Sequence, residues 1–175
     1  MSPRRTWIGG VALALVAALA LSGLSRAEDT EGEARARLAA LVEQTRRAFP
    51  EVPAVSIEDY VALAGTTAVV LVDVREDEER KVSWIPGSVP RREFEENRER
   101  YRDLPVVCYC TIGWRSSEYT GKLRKAGWDA RNLEGSIVAW ALSGRDVQGA
   151  DGPTRRVHVY GARWNLLPPG WEAVW

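Results

Sequence analysis

The chain has 175 residues, 24 of them basic and 24 acidic, for a formal net charge of zero. That length suits roughly one domain, and the balanced charge excludes nucleic-acid binding through a general basic field. Apolar residues at 45% suffice for a packed core, whereas two cysteines and one histidine cannot build a Cys/His zinc cluster or a disulfide framework.

Residues 1–27 have the three parts of an export signal. Arg4 and Arg5 give a positive start, Ile8–Leu21 is an apolar run, and Ser25 and Ala27 stand at small-x-small spacing. The run is short for a bilayer span, which takes about 20 apolar residues. Cleavage after Ala27 is therefore expected, and residues 7–24 kept as a membrane anchor are the alternative. Either way the remainder is expected outside the cytoplasm, periplasmic or secreted. Cleavage would remove Arg4, Arg5 and Arg26 and no acid. It would leave 21 basic against 24 acidic residues, a charge of −3. Contact with a membrane is then expected only through an uncleaved N-terminal segment, and contact with nucleic acid is not expected.

Glu28–Phe49 carries Leu38, Leu41, Val42, Thr45 and Phe49 at steps of three and four, the stripe of an amphipathic helix. Pro50 and Pro53 end it. Such a stripe is expected to pack on the domain that follows rather than serve as a free stalk. From Val55 onward, apolar runs alternate with helical patterns. Val69–Val72, Val106–Tyr109 and, more weakly, Ala130–Leu133 read as strands covered on both faces. Ile57–Leu63, Arg91–Tyr101, Ser116–Lys125 and Ser136–Leu142 read as helices. The alternation predicts an α/β domain with a mainly parallel central sheet and helices on both faces. Asp151–Trp175 breaks the rhythm. It offers one strand-like run, Val157–Tyr160, and three tryptophans, Trp164, Trp171 and Trp175, whose rings are expected to anchor it over the domain. The organisation expected is thus 1–27 signal, 28–53 helix and linker, 54–150 domain, and 151–175 Trp-rich extension.

The chemistry concentrates at Val106–Ser117. A buried strand ends at Cys110. The loop Thr111-Ile112-Gly113-Trp114-Arg115 follows, and Ser116-Ser117 opens a helix, serine being a favoured cap. Loop N–H groups and a helix N-terminus converging on one thiol form an anion cradle. A cradle of this kind is expected to lower the Cys110 thiol pKa, and Arg115 adds a planar fork for an oxyanion. A cysteine at the carboxyl end of an α/β strand also lies where ligands bind in such folds.

In order along the chain stand Val72-Asp73-Val74-Arg75, then Ile85-Pro86-Gly87-Ser88, then Cys110 with Gly113, Arg115 and Ser116. Leu133-Glu134-Gly135 follows, with Trp140 and Gly144. Together these resemble the rhodanese-like domain, the single-domain sulfurtransferase family, over about Val55–Val147. The resemblance implies a rhodanese-like fold and transfer of sulfane sulfur from a thiosulfate-like donor to a thiol or protein acceptor. It implies a Cys110 persulfide as the carrier, with no cofactor and no metal. Thr111, Ile112, Gly113, Trp114, Arg115 and Ser116 would form the substrate-binding loop, with Arg115 on the leaving sulfonate. Ser83-Trp84, Ser136 and Trp114 depart from the family's usual Gly-His, second glycine and smaller loop residue.

Four residues separate Cys110 from Arg115, against five in cysteine phosphatases. A shorter cradle favours sulfane sulfur over phosphate or arsenate. The alternatives are a rhodanese-like binding or sensing module without turnover, then a phosphatase or arsenate reductase, and last a redox pair of Cys108 and Cys110. Cys108 is expected to be a buried strand residue facing the same way as Cys110. Asp73 and Arg75 are expected as an ion pair supporting the loop. His158 is expected in a packing or surface role, and Glu76-Asp77-Glu78-Glu79 as a solvated run. The late tryptophans are expected to fill a second layer of core, the alternative being a lid over the active loop.

Overall fold

The computed structural model describes residues 30–175. The segment read as an export signal lies outside the described residues. Among them no helix is long and apolar enough to cross a membrane.

The first described element is a helix over 30–48, here α1, which stops ahead of Pro50 as its sequence dictates. Five strands then make a wholly parallel sheet: β1 (Ala54–Val55), β2 (Val70–Asp73), β3 (Val89–Pro90), β4 (Val106–Tyr109) and β5 (Ala130–Leu133). Their spatial order is β1-β5-β4-β2-β3, so β4 lies at the centre, paired with β2 and β5. The crossovers hold α2 (Ile57–Thr66), α3 (Asp77–Val82), α4 (Arg91–Glu96) with a 3-10 turn at Arg98–Tyr101, and α5 (Trp114–Lys125), while α6 (Ser136–Leu142) follows β5.

Strand periodicity divides the core into two layers. Leu71, Val107, Tyr109 and Leu133 point to one face, among Ile57, Tyr60, Ile137 and Trp140. Val70, Val72, Val106, Cys108 and Cys110 point to the other, among Phe94, Leu123 and Trp128. Both layers are buried, which accounts for unbroken apolar strands rather than alternating ones. A third cluster joins Ala34 and Leu38 of α1, Ile112 of the loop after β4, Val138 and Leu142 of α6, and Leu166.

Four short strands follow α6. β6 (Val147–Gly149) and β7 (Gly152–Thr154) form an antiparallel pair, and β8 (Arg156–His158) pairs in parallel with β9 (Glu172–Val174). Trp164 and Trp171 lie partly buried against the first layer, so these two rings do anchor the segment. Trp175 does not: it is 64% exposed.

Several boundaries differ from those read in the sequence. Arg91–Tyr101 is a short helix and a 3-10 turn, because Asn97 leaves the helical region at φ −118° and ψ 31°. The helix expected from Ser116 begins at Trp114. Gly113, at φ +113°, occupies its N-cap in place of Ser116-Ser117. At that φ a side chain would be strained, so glycine serves where a polar cap was expected. The strand expected over Val157–Tyr160 ends at His158 and pairs with β9 rather than with the main sheet.

Candidate active site

β4 delivers Cys110 to the carboxyl edge of the sheet, flanked by strands on both sides. Tyr109, one residue earlier, is fixed from within. Its hydroxyl donates to Asp73 Oδ2 at 2.7 Å. The same carboxylate takes a forked pair from Arg75, Nε to Oδ1 at 2.9 Å and Nη2 to Oδ2 at 2.8 Å. Arg80 adds a second cation to it at 3.0 Å. Burial alone would raise the Asp73 carboxyl, but the charge and hydrogen bonds of Arg75, with the Tyr109 hydroxyl, outweigh it and hold it below its usual value. Asp73 and Arg75 therefore form the ion pair expected of them, wholly buried and tied through the Tyr109 hydroxyl to the residue before Cys110.

The thiol is almost closed off, with Cys110 1% exposed. The Gly113 N–H points at Sγ from 3.2 Å, and the Ser116 hydroxyl donates to it from 3.5 Å. The Cys110 N–H donates to Ser136 Oγ at 3.0 Å, and that hydroxyl donates to the Leu133 carbonyl at 3.1 Å. The first N–H groups of α6 seal the loop from below, Ile137 to the Cys110 carbonyl and Val138 to the Thr111 carbonyl, both at 3.2 Å. A loop whose backbone is bonded this way keeps its remaining donors in place without reorganisation.

Arg115 lines the loop with a partner that the sequence did not suggest. Its fork is committed to Glu79, Nη1 to Oε2 at 2.6 Å and Nη2 to Oε1 at 2.7 Å, with a further bond to Thr111 Oγ1 at 3.1 Å. The Tyr160 ring lies over the guanidinium at 5.0 Å. Glu79 corrects the reading of the acidic run as solvated. Glu76, Asp77 and Glu78 are exposed, but Glu79 is 2% exposed and faces the loop. Burial raises its carboxyl. The Arg115 and Glu76 N–H hydrogen bonds, with the Arg115 charge, outweigh that and lower it below the usual glutamate value. The Glu76-x-x-Glu79 spacing of a capping box was the available signal: the Glu76 N–H donates to Glu79 Oε2 at 3.0 Å.

Cys108 is fully buried on the same sheet face as Cys110, and burial pushes its thiol up to about 12. His158 is mostly buried, 4.0 Å from Glu79, its Nδ1 accepting the Tyr160 N–H at 3.2 Å. No group of three His, Cys, Asp or Glu among the described residues could hold a metal ion.

Over Cys110 opens a cavity of about 370 Å³. The loop supplies Thr111, Ile112, Trp114 and Arg115 to its walls. The rest comes from segments that the loop motif did not point to: Leu41, Gln44 and Thr45 of α1, and Tyr160, Arg163 and Trp164 near the C-terminus. Of the site residues read in the sequence, the structure thus gathers the loop around one thiol and Asp73 and Arg75 beneath it. Glu79, the Ser136 hydroxyl and the wall from α1 were not foreseen, whereas a cover of late tryptophans stood as the alternative and Trp164 does line the cavity.

A parallel α/β sheet with a cysteine loop after its central strand defines a class of fold whose candidate site lies at the carboxyl edge of the strands. Within that class the family is specific. The model of the rhodanese-like domain matches residues 56–143, and this chain belongs to that family. A sulfurtransferase of Allochromatium vinosum is 34% identical over 98 residues, covering 51% of this chain and 88% of that protein. A probable adenylyltransferase/sulfurtransferase, MoeZ of Mycobacterium tuberculosis, is 36% identical over 77 residues, covering 41% of this chain. The match spans only 20% of that longer protein. Among solved structures, the thiosulfate sulfurtransferase of Pseudomonas aeruginosa superposes with a TM-score of 0.52 at 23% identity, over 64% of this chain and 23% of that one. That likeness concerns the fold. Family and relatives together support a sulfurtransferase-type function.

Proposed function

We propose that the protein is an exported sulfurtransferase that moves sulfane sulfur from a thiosulfate-like donor to a thiol acceptor through a persulfide on Cys110. The observation that carries this reading is the Cys110 thiol at the floor of an open cavity with the Gly113 N–H aimed at its sulfur from 3.2 Å. The Cys110 thiolate attacks the outer sulfur of the donor. A new S–S bond forms, the donor's own S–S bond breaks, and its electron pair leaves on sulfite. The Gly113 N–H and the Ser116 hydroxyl stabilise charge on sulfur, as hydrogen bonds to an anion are roughly twice as strong as neutral ones. An acceptor thiolate then takes the outer sulfur and returns the Cys110 thiolate. This is two-step covalent catalysis with one nucleophile. Arg115, fixed by Glu79, shapes the loop and lines the cavity.

The test is cyanolysis on protein expressed from the whole sequence and recovered from outside the cytoplasm, where a first residue of Glu28 is expected. Thiosulfate should add one sulfur atom to the mass of Cys110 and yield thiocyanate on addition of cyanide. Cys110→Ser should do neither. An unchanged mass with a freely titratable Cys110 would favour a binding module.

A further inference from the structure

The cavity above Cys110 is far larger than a thiosulfate ion and largely apolar. Leu41 of α1, Ile112 and Trp114 of the loop, and Trp164 near the C-terminus form its walls. A volume of about 370 Å³ lies in the range that holds an organic ligand with a few directing polar groups. The charged side chains on its walls are arginines, and one of them, Arg115, is already paired with Glu79 behind it. Arg115 and Arg163 border it, and no carboxylate lines it among the described residues. The Arg163 guanidinium lies over the Trp164 ring at 4.5 Å, so the cation sits at the edge of an aromatic wall. Leu41, Arg163 and Trp164 all lie outside the matched residues 56–143, and the apolar upper part of the cavity is an addition to the family's own unit.

We infer that this pocket selects an anionic sulfane donor with an aromatic or alkyl body, an organic thiosulfonate R–SO₂–S⁻, over bare thiosulfate. The inference rests on the sulfurtransferase reading and names its donor class. A small inorganic anion would leave the apolar walls facing water, whereas an R group displaces that water and gains the burial. Arg163, with the part of the Arg115 charge that Glu79 does not neutralise, matches the anionic end, which a neutral donor would leave unused. In the reaction the Cys110 thiolate bonds to the outer sulfur of R–SO₂–S⁻. The bond from that sulfur to the sulfonyl sulfur breaks, and its electron pair leaves on the sulfinate R–SO₂⁻. Two anions enter and two leave, the persulfide and the sulfinate, with no external oxidant or reductant.

The experiment compares thiosulfate, methanethiosulfonate and benzenethiosulfonate as donors, reading kcat/KM with cyanide as acceptor and, in separate samples without cyanide, the mass of Cys110 after the donor half-reaction. The phenyl donor should exceed the methyl donor by about 10- to 100-fold, as expected for burying several carbons in a fitted pocket. Intrinsic reactivity cancels when the phenyl-to-methyl ratio is compared between the wild type and Trp164→Ala or Leu41→Ala. The ratio should fall at least about fivefold in each variant, in keeping with the loss of a buried apolar wall. Unreactive benzenesulfonate should compete with the phenyl donor, and less well in both variants. A phenyl-to-methyl ratio near one, or a ratio that both variants leave unchanged, overturns the donor assignment while sulfur on Cys110 keeps the sulfurtransferase reading. Absence of sulfur on Cys110 from all three donors overturns both.

Discussion

Glu79 carries two forked bonds to Arg115 in a position that water scarcely reaches. Its partner is less secluded, with 31% of the Arg115 side chain exposed, so solvent screens part of the attraction. Glu79→Gln keeps the shape and removes the charge. It is expected to cost about 1–2 kcal/mol, the lower part of the range for a charged hydrogen bond, because Arg115 can turn to water. The pH dependence identifies the group. The folded carboxyl lies below the usual glutamate value of 4.5. Its contribution is therefore complete above about pH 5 and is lost as the pH falls through the folded value, where the folded state must take up the proton. Urea midpoints measured from pH 6 to pH 3 should fall less steeply for Glu79→Gln than for the wild type. The difference in slope reaches at most about 1.4 kcal/mol per pH unit, the worth of one proton. Identical slopes would mean that Glu79 is not the titrating group.

At the scale of elements, the junction of β5 with α6 governs the loop. Gly135 and Ser136 both take positive φ, +63° and +53°. A Cβ on Gly135 would meet Ala139 Cβ at 2.7 Å, so glycine is required there. Ser136 has no such steric demand for glycine but bears its own strain, about 1 kcal/mol for a residue in this region. In return its hydroxyl satisfies the buried Cys110 N–H, which would cost about 1–3 kcal/mol if left unpaired. The hydroxyl wins that comparison, which explains serine where the family commonly has glycine. Ser136→Gly relieves the strain and orphans the N–H. Ser136→Ala orphans it and keeps the strain. Stability by urea denaturation should therefore rank Ser, then Gly, then Ala, with Ala about 1 kcal/mol below Gly. An Ala variant as stable as the wild type would show that the N–H finds another partner. This junction also marks the limit of what the sequence discloses. The strand runs, the glycine punctuation and the cysteine loop were legible because each is a local pattern of burial or φ. Glu79, the walls from α1 and Arg163, and the use of the Ser136 hydroxyl depend on which distant segments meet, and hydrophobic periodicity carries no record of that. The stripe of α1 was legible as a stripe, but its target was not.

At the scale of the molecule, that target is the third core cluster, where Leu38 of α1 and Leu166 near the C-terminus enclose Ile112 of the active loop with Val138 and Leu142. The two ends of the described chain thus meet over the site rather than at a remote edge. Arg35 of α1 also donates to the Leu142 carbonyl at the end of α6. If these terminal segments were loosely attached, they would unfold early and leave the family's unit intact. Burial argues otherwise, since Leu166 is 2% and Leu38 6% exposed. Leu166→Ala and Leu38→Ala should each cost about 3 kcal/mol, within the range for emptying a buried leucine site. Because both leucines line one cluster, the double variant should lose less than the sum, the second cavity opening beside the first. Far-UV circular dichroism and tryptophan fluorescence should follow one shared transition in the wild type. Each variant should also lower turnover at Cys110 more than its fraction unfolded explains, because Ile112 loses part of its packing and the loop its fixed geometry. An early fluorescence transition, or a cost below about 1 kcal/mol for Leu166→Ala, would place the terminal segments outside the cooperative unit; the core-leucine range leaves no room for so small a loss at a well-packed site.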